Sequence, residues 1–358
     1  MGNKKVFAFS ALALISVSLF QNCGDVKIQR NNLVSTQGDS GPQVCSPNSE
    51  ASCEIISNGT SIKTCNSQGS AFANCIVSCN TGFKLVGSVC EADPLATQYD
   101  ILMSLYNLTN GANWTNRAGW GGVRGTECAW YGITCVSRFV TEIKLDSNNL
   151  VGPLPSNLNQ LRALKLFRIN QNKLSGSIPS LAGLTNLHSF YVHTNQLTGS
   201  IPSLEGLANL YYFYALDNKL SGSIPPLAGL VNLQHFYVAI NQLTGSIPPL
   251  VGLANLNGFY VHSNQLAGSI PPLAGLANLN QFMVHSNQLT GSIPPLAGLA
   301  NLQIFYAQTN QLSGSIPSLA GLTNLIFFNV CSNAGIVGPK PDITGTKLTQ
   351  AGSSYCGP

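Results

Sequence analysis

The chain has 358 residues, of which 44% are hydrophobic and only 8% charged, and a formal net charge of +4. Soluble domains carry about 25% charged residues, yet here no Asp, Glu, Lys or Arg occurs from Leu220 to Pro339. Binding to a phosphate backbone needs clustered Lys and Arg, so nucleic acid is excluded as a partner.

The N-terminus has a basic pair, Lys4 and Lys5, followed by the apolar run VFAFSALALISVSLF. This run is shorter than the ~20 residues of a membrane-spanning helix, and it fits a secretory signal over 1–22. It ends in LFQNCG, which resembles a lipobox, although Gln21 and Asn22 are bulkier than the residues usual before the lipidated Cys. Cys23 is the expected lipidation site; the alternative is an ordinary signal peptide with an incidental cysteine. An odd count of cysteines, 11, favours the first reading, because a leftover thiol in an exported protein needs a reason. Residues 23–44, polar and bearing Gly and Ser, then form a flexible tether. Gly24 in place of Asp after Cys23 points to an exported lipoprotein at the outer membrane or cell surface of a Gram-negative bacterium.

Residues 45–92 carry six cysteines, Cys45, Cys53, Cys65, Cys75, Cys79 and Cys90. So short a segment buries little core, and disulfides are the expected staple; the sequence does not give their pairing. CNTGFKLVGSVC is similar to the closing turn of EGF-like or sushi-like modules. A spacer role is the plainer reading of this small disulfide-rich module.

A cap follows over 93–139. QYDILMSLYNL places Ile101, Leu102, Leu105 and Tyr106 at helical spacing, which predicts a short amphipathic helix. From 140 to 338 the chain is periodic. Asn148, Asn172, Asn195, Asn218, Asn241, Asn264, Asn287, Asn310 and Asn333 recur after one step of 24 and then steps of 23 residues. Around each stands L-x-x-F-x-V-x-x-N-x-L-x-G-x-I-P, the leucine-rich repeat pattern. Nine copies predict a leucine-rich repeat solenoid of the α/β class. Strand residues alternate between faces, so in LHSFYVHTN the side chains of Phe190 and Val192 point inward while Ser189, Tyr191 and His193 point outward. The inward phenylalanines, eight in a column from Phe167 to Phe328, predict a continuous spine. The asparagine amide both donates and accepts, and is expected to satisfy backbone groups where the strand ends. The Pro-rich return IPPLAGL leaves little room for a long helix, so short turns or 3-10 pieces are expected on the outer side.

LVGPLP, LSGSIP and LTGSIP, with NWTNRAGWGG and CAWYGITC ahead of them, resemble the plant-type leucine-rich repeats of receptor-kinase ectodomains and polygalacturonase-inhibiting proteins. The resemblance runs from about Leu95 to Pro339. It implies a right-handed curved solenoid with a concave parallel sheet, and a cap disulfide between Cys128 and Cys135. Kinase signalling does not carry over, because the chain contains no kinase domain. At the other end, Cys331 takes an outward slot of the last strand and Cys356 lies near the terminus; these two are expected to join and fold a C-terminal cap, 339–358, over the final coil.

Three outward columns run down the concave face. The central one reads Lys144, Arg168, Tyr191, Tyr214, Tyr237, Tyr260, Met283, Tyr306 and Asn329. The first contains Tyr212 and His235, and the third contains His193, His262 and His285. Aromatic neighbours stabilise a sheet by about 0.2–1 kcal/mol per pair, so the tyrosine ladder has a purely structural reading. Positions beside it vary, however, while the GSIPPLAGLANL side is nearly constant, as a binding face would show. The expected ligand-binding residues are therefore Tyr191, His193, Tyr212, Tyr214, His235, Tyr237, Tyr260, His262, His285 and Tyr306. No metal site is expected, since no Cys, Asp or Glu stands beside the His262 and His285 pair. No cofactor or enzymatic activity is expected either, because the solenoid from Leu220 onward has no carboxylate to orient a histidine or act as a base. The sequence thus reads as a monomeric, lipid-anchored surface protein that binds a protein or peptide partner through this face. Glycan binding and a spacer without a ligand are the alternatives.

Overall fold

The computed structural model describes residues 94–348, together with short strands within 50–92 and at 353–354. The expected signal segment, the tether, Cys23, the pairing within the cysteine module and Cys356 lie outside the described residues. The chain divides into two compact units, Met1–Ala96 and Thr97–Pro358. In the first, Glu50–Ser52, Gly59–Thr64 and Ile76–Cys79 form an antiparallel sheet, and Phe83–Val86 pairs with Val89–Ala92 as a hairpin.

The second unit begins within helix α1 (Pro94–Leu108), whose Ile101, Leu102 and Leu105 are buried as their spacing requires. The helix packs into an aromatic cap. Trp114 and Trp120 meet edge-to-face at 4.8 Å, Trp120 and Trp130 lie 5.0 Å apart, and Tyr106 stacks on Trp120. Each indole N–H donates to a nearby oxygen, at Thr109, Tyr131 and Thr126, so these large rings are buried without orphaned donors. Cys128 and Cys135 form the disulfide that the family resemblance implied. The cap hands over to the sheet through Ile133–Val136, antiparallel to Phe139–Lys144. The buried Gln98 amide clamps this edge, donating to the Arg138 carbonyl and accepting from the Val140 N–H.

From Phe139–Lys144 onward the sheet is parallel, adding Leu166–Arg168, Ser189–Tyr191, Tyr212–Tyr214, His235–Tyr237, Gly258–Tyr260, Gln281–Met283, Ile304–Tyr306 and Phe327–Asn329 in unbroken register. Each of the eight strands added after Phe139–Lys144 contributes one buried phenylalanine between two outward positions, the place of the first being taken by Ile143. The eight rings from Phe167 to Phe328 are fully buried and stacked, with centroids 5.2–5.8 Å apart. Burial of each ring contributes about 1.5–3 kcal/mol.

Two devices close every coil. The first is the asparagine: the Asn264 Nδ2 donates to the carbonyls of Val238, Val261 and His262, while its Oδ1 accepts from Leu243 N–H. One side chain thereby joins a coil to its predecessor, and the same pattern recurs along the ladder. The second device lies one residue earlier. Gln171, Thr194, Asp217, Ile240, Ser263, Ser286 and Thr309 all adopt φ of 54–57°, which aims each N–H at a carbonyl of the following coil, as from Ile240 to His262 and from Ser263 to His285.

On the outer side the returns are turns, with one 3-10 piece at Leu158–Gln160. The structure adds a feature not expected from the sequence, a second set of short parallel strands just after the asparagines. Lys173–Ser175 pairs with Val151–Pro153, Ser221–Ser223 with Gln242–Thr244, and Ala267–Ser269 with Gln288–Gly291 and onward to Gly335–Ile336. These stretches of two to four residues lack the length to show alternation, so only the stacking of coils brings their backbone groups into register.

Candidate functional site: the concave face

The register places the expected columns side by side. Tyr191, Tyr214, Tyr237 and Tyr260 occupy neighbouring positions, followed by Met283 and Tyr306. Tyr191 meets Tyr214 edge-on at 4.9 Å and 76°. Tyr214 then stacks on Tyr237 at 4.5 Å, and Tyr237 on Tyr260 at 3.9 Å and 10°. These rings stand like coins in a roll, so Tyr237 has both faces covered by its neighbours.

Tyr212 and His235, in the first column, buttress the ladder: the Tyr214 hydroxyl lies 2.9 Å from His235 Nδ1, and Tyr212 Oη donates to Gln234 Oε1. The next residue in that column is Gly258, and a Cβ there would meet Tyr237 Oη at 2.5 Å. Glycine is therefore what lets the Tyr237 ring lie across the strand. Burial pushes the phenols of Tyr191, Tyr214, Tyr237 and Tyr260 upward, and for Tyr214 and Tyr237 neighbouring tyrosines push further. All four remain hydroxyl donors through neutral and moderately alkaline pH.

In the third column, His262 and His285 stack at 4.2 Å and 9°. Burial, and then the neighbouring His285, lower His262 to about 4. Burial likewise lowers His193, His235 and His285. Parallel rings direct their lone pairs alongside one another rather than toward a common point, which argues against a shared ion. Among the described residues no three His, Cys, Asp or Glu side chains gather as a metal site. Within the three columns charge is confined to one end, where Lys144 pairs with Glu142 and Arg168 with Asp146; Asp217 stands just beside the third column. Cys331, at the far end of the third column, is disulfide-bonded.

Two residues stand out that the sequence reading did not include among the candidate ligand-binding residues. Gly258 is one. The other is Ile240, an exposed aliphatic residue at the positive-φ position; the sequence signal was a lone apolar side chain in a column of Gln, Thr, Asp and Ser.

No protein-family model matches the chain. It is 40% identical over 89 residues to an inactive leucine-rich repeat receptor-like serine/threonine-protein kinase of Arabidopsis thaliana, covering 24% of this chain and 13% of that relative. It is 42% identical over 60 residues to the Arabidopsis thaliana receptor-like kinase TMK4, covering 17% of this chain and 6% of that protein. Among solved structures, the ectodomain of the Arabidopsis thaliana receptor kinase GASSHO1/SCHENGEN3, in complex with CASPARIAN STRIP INTEGRITY FACTOR 2, superposes with a TM-score of 0.63 at 31% identity, over 70% of this chain and 33% of that one. PEPR1 in its complex with AtPEP1 has the same fold, with a TM-score of 0.58 at 24% identity, over 73% of this chain and 42% of the other. The chain thus spans only a small part of the length of its curated relatives. By repeat, register and these likenesses, it is a leucine-rich repeat protein similar to the plant-type ectodomains.

Proposed function

We propose that this is an exported, lipid-anchored binding protein whose concave face, lined by the tyrosine ladder and its flanking histidines, recognises a protein or peptide segment. The observation that carries this reading is the mutual stacking of Tyr214, Tyr237 and Tyr260. A sugar ring binds an aromatic residue by lying on its open face, and Tyr237, with Tyr214 on one side and Tyr260 on the other, has none to offer. Ring edges and hydroxyl donors are suited instead to the carbonyl-rich backbone of a polypeptide. The likeness to the GASSHO1/SCHENGEN3 ectodomain, itself in complex with a partner, supports the same direction.

In this reading 1–22 directs export, Cys23 carries the lipid, 23–92 serves as tether and spacer, 93–139 caps the nine repeats of 140–338, and 339–358 closes the other end. The anchor puts the protein at the outer membrane or cell surface, as a monomer without catalytic activity. Among the described residues no helix is long and apolar enough to cross a membrane. Peptide and glycan arrays probed with the mature protein, and with the Tyr214→Ala plus Tyr237→Ala double variant, test the reading. Peptide binding lost in the double variant is the expected result. Binding that survives it, or binding to glycans alone, would refute the proposal.

A further inference from the structure

Local frustration in the solenoid is concentrated along one line. Among the described residues, the buried side-chain polar atoms that lack a hydrogen-bond partner are Asn170 Oδ1, His193 Nδ1, His285 Nδ1 and Gln308 Oε1. All four belong to the third outward column, two on consecutive coils near one end and two near the other. Buried polar atoms are nearly always paired, and each exception calls for an explanation. Between the two pairs stand the apolar Leu216 and Ala239, followed by His262, whose Nδ1 lies 3.2 Å from the Ser263 hydroxyl.

Beside these two apolar residues stands Ile240, 47% exposed and at φ 55°. The fold requires this conformation of every coil, since it aims the N–H at the next coil. A β-branched aliphatic residue is nonetheless among the poorest choices for it. Thr194 and Thr309 are also β-branched, but each has a hydroxyl. Ile240 has an apolar side chain directed at solvent and no polar group to offset its backbone. Neither the fold nor solubility accounts for an isoleucine there.

We infer that this stripe, from Asn170 to Gln308 and centred on Ile240, determines specificity, and that it takes an extended, uncharged peptide segment. An apolar side chain of that segment seats against Leu216 and Ile240, while hydrogen-bonding groups on either side satisfy the imidazoles and amides after they rotate. The inference rests on the peptide-binding reading above, in which the ladder supplies contact area, and assigns specificity to the third column beside it. Charge complementarity selects the ligand class. The coils from Leu220 to Pro339 carry no charged side chain, the two ion pairs near the cap are internally neutralised, and the Asp217 carboxylate, which precedes Ile240 in the positive-φ column, disfavours an anionic segment. A charged segment would lose its hydration along most of the stripe without gaining a counter-charge. His193 and His285 are four strands apart, about 19 Å at the ~4.8 Å strand spacing. About six extended residues span that distance.

The test uses the mature full chain and, as probe, a phage library displaying random linear peptides about ten residues long. Peptides enriched on the wild type are then measured against Ile240→Asn, Gln308→Met and the Tyr214→Ala plus Tyr237→Ala double variant. Asn accepts positive φ readily, and Met keeps the shape of Gln without its amide. The expected result is enrichment of peptides poor in charge, with about tenfold or greater loss of affinity for Ile240→Asn and Gln308→Met. Both variants should melt at or above the wild-type temperature, Ile240→Asn higher by about 2–4 °C as strain is released. Melting clearly below wild type would overturn the inference, because those residues would then be serving the fold. Peptides indifferent to both stripe variants but lost with the double tyrosine variant would overturn it while leaving the peptide-binding reading intact. Failure to enrich any peptide would overturn both.

Discussion

Replacing Asn310 by Ala should unzip the solenoid locally, and the structure sets the size of the effect. Asn310 is 9% exposed; its Oδ1 accepts from Leu289 N–H at 2.9 Å and its Nδ2 donates to the carbonyls of Val284 and Ala307, both at 3.1 Å. Alanine leaves a buried amide N–H unpaired, at a cost of about 1–3 kcal/mol, and two carbonyls each lose one donor. The sum is about 2–4 kcal/mol, or about 5–15 °C in Tm for a unit of this size. Because each coil contacts only its neighbours, the damage should begin there. Hydrogen exchange at Leu289 and the coils beside it should accelerate before exchange in the aromatic cap does. The control is Asn301→Ala. Its Nδ2 also donates to a carbonyl one coil back, Ala277 at 2.9 Å, but from an exposed site, so water replaces the bond at a cost within about 0.5 kcal/mol. Thermal and urea unfolding of both variants would decide the matter. Equal effects, or a loss below about 1 kcal/mol for Asn310→Ala, would refute the claim that burial of this amide holds the coils together.

Other consequences follow from the concave face. With a folded value of about 4 for His262 against about 6.5 when unfolded, the unfolded chain binds more protons between those values. Stability should therefore fall as pH drops from about 6.5 to about 4 and level off below. Discounted for partial solvent exposure, His262 accounts for about 1–2 kcal/mol of this loss. Denaturant unfolding of wild type and His262→Gln across that range should differ in slope, and parallel curves would contradict the assignment. Gly258→Ala should displace the Tyr237 ring from its stack, changing the near-ultraviolet circular dichroism of the tyrosines while leaving the melting temperature within a few degrees. An unchanged spectrum would show that the close approach does not matter. Spectrophotometric titration should find Tyr214 and Tyr237 un-ionised until the protein unfolds in alkali; their reversible ionisation near pH 10 in the folded state would disprove the burial argument.

How much of this was legible in the sequence differs from feature to feature. The 23-residue period and the alternation around each asparagine determined the fold, because a strand inverts side-chain direction at every residue and stacked coils align equivalent positions. Phe190 and its seven counterparts were bound to form a spine, and Tyr191, Tyr214, Tyr237 and Tyr260 a ladder. The asparagine's role followed from having both donor and acceptor on one short side chain. What the period could not decide is how each outward side chain turns. That depends on contacts between residues 21 to 25 positions apart, and these exist only once the coils are stacked. Tyr191 lies edge-on to Tyr214 while Tyr237 is enclosed between two rings because Gly258 clears a path for it, and no local pattern marks that glycine as different from the turn glycines. The second set of strands, the unpaired atoms of the third column and the positive φ beneath Ile240 arise in the same way. The repeat dictates the backbone at each position, and whether the residue found there suits it is decided only by its tertiary neighbours.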